Sequence, residues 1–257
     1  LFVLITGCDQ AKQLENNSTN NNSNTNNNYG SFSIRRGTNI AHWLSQSNRR
    51  GNKRASFFTQ KDISNKTNTI VLSAILLFSL LTRIYNLNLP KEKYFDEVYH
   101  AFTAGLVLHN DPKAWEWWNP HPEGFAYEWT HPPIAKLGMV VGMLVFGENA
   151  FGWRIVQAIL GTMSVFLVYL LAKSIFNDKL VALLSAAILS LDGLALVMSR
   201  IGMNDSYILF FSLLSIYLFI KDKNLLSSIA FGFAISSKWS AIYSLPILFV
   251  SHFVFRK

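Results

Sequence analysis

Apolar residues in this chain gather into long blocks instead of recurring at the short period of a soluble helix. The first block, Thr69 to Leu87, comes close to the roughly 20 residues that a helix requires to cross a bilayer. Five more follow: Phe151 to Ile175, Leu180 to Val197, Tyr207 to Ile220, Leu225 to Ser236 and Ala241 to Phe255. Each predicts a membrane helix, and because several are short for a full crossing, tilt, partial spans or bilayer thinning are part of the expectation. Between the first two blocks lies a hydrophilic and aromatic stretch, Asn88 to about His131, too long for a plain connection. Within it Val98, Phe102 and Leu106 recur at i, i+4 and i+8, which predicts a helix along the membrane interface with one apolar stripe. His131-Pro132-Pro133 then opens a second short helix, its prolines suiting the first turn. The predicted fold class is an α-helical polytopic membrane protein.

Composition agrees with that class. Half of the 257 residues are apolar, with 20 Phe and 7 Trp. The single cysteine, Cys8, excludes an intrachain disulfide framework and a Cys-based zinc site. The net charge of +8 points to nucleic acid only until it is located. Between Tyr29 and Lys66 stand eight Lys and Arg against one acid, Asp62, so this segment carries seven of the eight net charges. No RNA- or DNA-binding motif accompanies it, and basic residues just before a first span fit cytoplasmic topology determinants; no nucleic-acid partner is expected. Trp115, Trp117, Trp118 and Trp129, with Phe125 and Tyr127, fit an interfacial aromatic belt, a sugar-stacking platform being the other reading.

The first 63 residues have a different character. Leu4-Ile5-Thr6-Gly7-Cys8 looks like the end of a bacterial lipoprotein signal with its lipid-accepting cysteine, and the signal is expected to continue upstream of Leu1. Asn16 to Asn28 is an Asn/Ser/Thr tract suited to a tether. The run from Arg35 to Ser47, with Arg49-Arg50-Gly51 and Phe57-Phe58-Thr59, resembles the start of the mature domain in cellulase-type glycoside hydrolases of family five. Those enzymes are barrels whose catalytic carboxylates lie far downstream; nothing downstream here reads as a barrel, and no hydrolase activity carries over. A lipoprotein tether is exported, whereas the basic segment belongs inside. The conflict divides the chain into residues 1–63, a disordered or foreign segment joined near Asp62 to Lys66, and residues 64–257, a membrane module. A basic native extension is the alternative.

With Lys66 inside, the loops alternate. The segment after Leu87 falls outside, Lys173 and Lys179 inside, Ser199 to Ser206 outside, Lys221 and Lys223 inside, Lys238 outside and Arg256-Lys257 inside. Asp96, Glu97, Arg200, Asp205 and Lys238 then share the outer face. Asp96 and Glu97 stand out there, because a carboxylate at a membrane surface can take a proton from a hydroxyl while the other substrate stays in lipid. The same two residues would also suit the N-terminus of the helix that follows. Glu97 and His100 at i, i+3 are a fragment of a metal motif without partners, and no metal is expected.

Charges within spans cost about 2.5–3.5 kcal/mol each at a helix centre, so those present mark sites or partners. Arg154, Arg200 and Lys238 are suited to the phosphate of a polyprenyl carrier. The competing reading pairs the arginines with Asp192 or Asp205 and lets Lys238 snorkel to the interface.

Taken in order, Phe95-Asp96-Glu97-Val98, His131-Pro132-Pro133-Ile134-Ala135-Lys136, Phe151-Gly152-Trp153-Arg154, Ser199-Arg200 with Asp205, and Ser237-Lys238-Trp239-Ser240-Ala241 resemble the protein O-mannosyltransferase family. The resemblance runs from about Thr67 to the C-terminus. It implies the glycosyltransferase C superfamily fold, with external interfacial helices between the first two spans, and, since family members carry further spans, the amino-terminal half of such an enzyme. It further implies inverting transfer of mannose from a polyprenyl-phosphate-mannose donor to Ser or Thr hydroxyls of an exported polypeptide. On that resemblance Asp96 and Glu97 are the catalytic pair, with the choice of base open. Arg154, Arg200 and Lys238 would bind donor phosphate, and His131, Lys136, Asp192, Asp205 and Trp239 are further site candidates. The lipid-linked sugar is a substrate, and no cofactor is implied. The expected location is a bacterial plasma membrane, multi-pass, with the active site on the outer face. The rivals are a related lipid-linked glycosyltransferase with a glycan or lipid acceptor, and a non-catalytic membrane fragment.

Overall fold

The computed structural model describes residues 63–255, so Cys8, the Asn-rich tract and the cellulase-like run lie outside the described residues. Among the described residues the regular elements are helical: α1 (Asn65–Ile84), α2 (His100–Leu108), α3 (Ile134–Phe146), α4 (Ala150–Phe176), α5 (Lys179–Leu191), α6 (Gly193–Met198), α7 (Asp205–Ile220), α8 (Asn224–Ile235) and α9 (Leu245–Phe255). Short 3-10 turns stand at Phe95–Val98, Pro112–Ala114 and Trp239–Ser244. Two helices, α1 with 20 residues and α4 with 27, are long and apolar enough to cross a membrane, and α3, α5, α7 and α8 are shorter apolar helices.

The long α4 is the centre of the bundle, with α1, α3, α5 and α7 packed around it and α8 against α7. It begins where Asn149 Oδ1 accepts from Gly152 N at 3.0 Å and ends where Asn177 turns left-handed at φ 51°. The approach of α3 is close because Gly142 lies on the Gly152 carbonyl with no room for a Cβ between them. Burial differs from that of a soluble bundle, because polar side chains share the interior with an apolar core that includes Met139, Ile155 and Val165 while many large apolar side chains face outward. Ser79, Arg83, Gln157, Ser164 and Ser215 are buried, whereas Ile70, Leu77, Leu144, Ile188 and Phe249 are exposed. Across α7 and α8, Ser215 Oγ donates to Ser227 O at 2.9 Å and Ser227 Oγ to Ser215 O at 2.8 Å. That mixture suits lipid as solvent, where exposed apolar groups cost nothing and polar groups need partners inside.

Two expectations change. The block from Leu180 to Val197 is not one helix: it breaks at Asp192, whose Oδ1 accepts from Ala195 N at 2.7 Å and starts α6. An Asp followed by Gly can end one helix and cap the next, which a block of apolar residues hides. The stripe of Val98, Phe102 and Leu106 is half-buried, with Phe102 packed on Phe125 at 4.9 Å between ring centroids. The deepest face of α2 is Ala101 and Ala104, clustered with Met139, Met143 and Trp153. Periodicity identifies an apolar stripe but not what covers it; here the cover includes protein aromatics.

Candidate functional site

The adjacent carboxylates Asp96 and Glu97 have unlike surroundings. Phe95, just before them, is held at φ 53°, a conformation that costs a bulky residue about 1–3 kcal/mol and persists only where neighbouring contacts enforce it. Those contacts belong to Glu97, which is fully buried. Its Oε1 accepts from Arg154 Nε at 2.6 Å and Gly202 N at 2.7 Å, and its Oε2 from Arg154 Nη2 at 2.6 Å. Arg154, equally buried, gives Nη1 to Leu87 O at 3.1 Å and Pro90 O at 2.9 Å. This bidentate pair ties the acidic turn to α4, to the segment after α1 and to the turn before α7. Arg154, expected at the donor phosphate, is here paired with an acid, and that acid is Glu97 rather than Asp192 or Asp205. A planar guanidinium matched to a carboxylate 57 residues away is a tertiary fact that sequence spacing does not encode.

Asp96 is half-buried, and its carboxylate makes no hydrogen bond or ion pair among the described residues. It does not cap the following helix either, since α2 begins without a side-chain cap. A carboxylate with idle lone pairs at a partly open position is available as a proton acceptor.

Next to it lies a cluster built on Glu128, a residue the sequence reading passed over. Glu128 Oε1 accepts from Thr130 Oγ1 at 2.6 Å, Thr130 N at 2.8 Å and His131 N at 2.9 Å. Its carboxylate also faces two imidazoles, His131 Nδ1 at 3.1 Å and His100 Nδ1 at 3.2 Å, the latter too poorly aligned for a hydrogen bond. Lys136 Nζ closes the loop by donating to Glu128 O at 2.8 Å and His131 O at 3.1 Å. Burial lowers the His100 imidazolium below the ordinary histidine value, with His131 and Lys136 adding to the effect and Glu128 and Asp96 opposing it. Burial works to raise the Glu128 carboxyl, but the Thr130 and His131 hydrogen bonds and the two histidines bring it below the usual carboxylate range.

The remaining candidates divide between this cluster and the helices behind it. Trp239 Nε1 donates to Thr130 O at 3.0 Å, and Lys238 Nζ to Asp205 Oδ1 at 3.0 Å, bringing the start of α7 and the turn before α9 to the aromatic segment. Arg200 caps the end of α1: Nη2 donates to Tyr85 O at 2.8 Å and Nη1 to Thr82 O. Arg200 thus meets carbonyl oxygens where a phosphate or an Asp was expected. Asp192 caps α6, as described above. Trp117 and Trp129 stack at 5.0 Å and remain more than half exposed. Among the described residues no group of three or more His, Cys, Asp and Glu is arranged to hold a metal.

Sequence reasoning missed Glu128 and Arg83 inside α1, and it read His100 only beside Glu97 and not against Glu128. Signals existed for the two that were missed. Glu128 is a lone acid three residues before His131, and Arg83 is a lone cation in the first apolar block, subject to the cost that singled out Arg154.

Residues 139–255 match the family described as dolichyl-phosphate-mannose-protein mannosyltransferase. A polyprenol-phosphate-mannose–protein mannosyltransferase of Corynebacterium glutamicum is 30% identical over 169 residues, covering 61% of this chain and 31% of the relative. One of the same description from Mycobacterium tuberculosis is 30% identical over 162 residues, covering 60% and 29%. An undecaprenyl phosphate-alpha-4-amino-4-deoxy-L-arabinose arabinosyl transferase of Pseudomonas savastanoi is 37% identical over 110 residues, covering 42% and 19%. The chain spans about 30% of the length of the curated mannosyltransferases it matches.

Proposed function

We propose, from the premise that this chain belongs to the dolichyl-phosphate-mannose-protein mannosyltransferase family, that it transfers mannose from a polyprenyl-phosphate-mannose donor to Ser or Thr hydroxyls of exported polypeptides. Asp96 is the general base. It takes the proton of the acceptor hydroxyl as the oxygen attacks the anomeric carbon from the side opposite the phosphate, which leaves on its lipid with inversion. Glu97 is the positioning residue, holding the turn against Arg154 so that the neighbouring carboxylate stays free. The single observation that carries this assignment is the contrast between an idle Asp96 and a doubly bonded, buried Glu97. Glu128 orients His131 and keeps a negative charge near His100, and Lys238 is a cation for the departing phosphate, released from Asp205 when donor binds.

The membrane module, residues 64–257, crosses the bilayer several times, with Asp96 and the Lys238–Asp205 pair on the outer face, in the glycosyltransferase C manner. The Lys/Arg asymmetry of its short loops supports that orientation. A second reading, with a lipid-linked glycan as acceptor, draws on the arabinosyl transferase relative. The test is transfer of labelled mannose from polyprenyl-phosphate-mannose, in membranes containing the protein, to a Ser/Thr-rich peptide or to a lipid fraction. Label in peptide, lost by about 10²-fold or more with Asp96→Asn, is the expected result. Label in lipid alone sinks the peptide reading, and full transfer by Asp96→Asn removes the carboxylate from the mechanism.

A further inference from the structure

A cavity of about 670 Å³ opens between the segment that follows α1 and the turn joining α3 to α4. Asn88, Lys91 and Lys93 line it from the segment, and Glu148, Asn149 and Trp153 from the turn and the start of α4. Trp153 connects it to the acidic turn. The indole is 4% exposed, and a Cβ on Gly202 would come 3.2 Å from both Trp153 Cδ1 and Glu97 Oε1, so one side chain borders the cavity and the residue that holds Glu97. Lys93 Nζ stands 4.7 Å from the centroid of the same indole. Arg154, besides pairing with Glu97, holds the backbone on either side of Lys91, donating to Pro90 O at 2.9 Å and Glu92 O at 3.5 Å. The two lysines are thereby fixed relative to Asp96.

The lining sets two cations against one acid, and that acid is engaged: Glu148 Oε2 meets His109 Nε2 at 2.8 Å. Glu92, between the lysines, does not line the cavity. Neither Lys91 nor Lys93 has an acid within ion-pair distance among the described residues. An ammonium is a compact point charge whose donors suit a carboxylate without the planar match that a guanidinium gives to phosphate. Asn88 adds an exposed amide that can pair with a peptide backbone. Lys93 stands three residues before Asp96, so their backbones are at most about 10 Å apart, a distance that an extended polypeptide covers in about three residues. A chain presenting a hydroxyl to Asp96 therefore brings a neighbouring side chain within reach of the lysines.

We infer that this cavity is an acceptor subsite, in which Lys91 and Lys93 take an acidic side chain of the polypeptide about three residues from the hydroxyl presented to Asp96. The inference rests on the mannosyl-transfer reading and adds a charge preference to it. The test compares peptides that carry a single Thr and, about three residues to either side, Glu or Gln. In membranes containing the full chain, kcat/KM for the better-placed Glu peptide exceeds that for its Gln counterpart by about fivefold, chiefly through KM, and the advantage shrinks as salt rises. Lys91→Gln with Lys93→Gln removes the advantage and leaves transfer to the Gln peptide at the wild-type rate. Lys91→Glu with Lys93→Glu turns the preference towards a Lys-bearing peptide. Lys91→Glu alone, at an exposed side chain that does not pack on Trp153, shifts it in the same direction and keeps the test decisive if the Lys93 variants do not fold. Equal kcat/KM for the Glu and Gln peptides, or a preference that survives in the double Gln variant, overturns the inference. So does retention of phosphatidylglycerol over phosphatidylcholine in native mass spectrometry that the double Gln variant loses, since the occupant is then a lipid head. Fluorescence anisotropy of the labelled peptides with purified protein in detergent separates the subsite from the reaction. Tighter binding of the Glu peptide by a protein that transfers no mannose counts against the proposed function and leaves the subsite standing; transfer without discrimination between the peptides does the reverse.

Discussion

Replacing Glu97 by Gln removes the negative charge from a pair in which both side chains are at most 1% exposed and two N–H···O contacts measure 2.6 Å. Arg154 keeps its carbonyl partners at Leu87 and Pro90 but loses its counter-charge, and a guanidinium does not neutralise itself by releasing a proton. Removing one partner of a buried pair costs about 3–5 kcal/mol. Gln can still accept from Gly202 N, so the lower end, about 3 kcal/mol, is the expectation. Asp96→Asn changes a half-buried side chain without partners, and about 0.5 kcal/mol or less is expected. The double variant Glu97→Gln with Arg154→Met removes both charges and recovers much of the loss, because apolar replacement of a whole buried pair is often neutral. Urea titration of the protein in detergent, followed by protease resistance of the segment between α1 and α3, measures all three. The reasoning is refuted if Glu97→Gln unfolds within about 0.5 kcal/mol of wild type, or if Asp96→Asn is the more destabilised of the two. With folded protein normalised, the same variants separate roles in transfer: activity in Asp96→Asn together with its loss in a folded Glu97→Gln would exchange base and positioning residue.

The histidine cluster gives a pH dependence. His100 is held below its ordinary value near 6.5, so the unfolded chain takes up the proton first, and stability falls as pH drops below that value, by up to about 1.4 kcal/mol per pH unit. Glu128, held below the ordinary carboxylate value, contributes stability that is lost only as pH falls further, through its folded value. His100→Gln should flatten protease resistance between about pH 6.5 and 5, and an unchanged slope would show that another group titrates there. For topology, cysteines placed at Asn88, Asn177 and Asn224 in a Cys8→Ser background should react with an impermeant reagent from outside only at Asn88. The reverse pattern would put the acidic turn on the wrong face for an exported acceptor.

The helices were legible because apolar blocks in lipid need no partner to declare themselves; α1, α4, α7 and α8 fall within a few residues of the blocks that announced them. The failure at Asp192 has the same origin, since a block shows where a chain can be buried in lipid and not where its backbone turns. Charges are legible in the same way, each one conspicuous against its surroundings, but their pairing is not. Asp96 and Glu97 are indistinguishable as neighbours in sequence and acquire unlike surroundings only because Arg154 and Gly202 converge on the second. The arginines carry the argument further. Of the three buried or half-buried ones, the two suspected of binding phosphate have protein partners, and the one overlooked, Arg83, has donors left over. A charge in a membrane interior persists where something meets it, and the fold identifies which charge is still unmet.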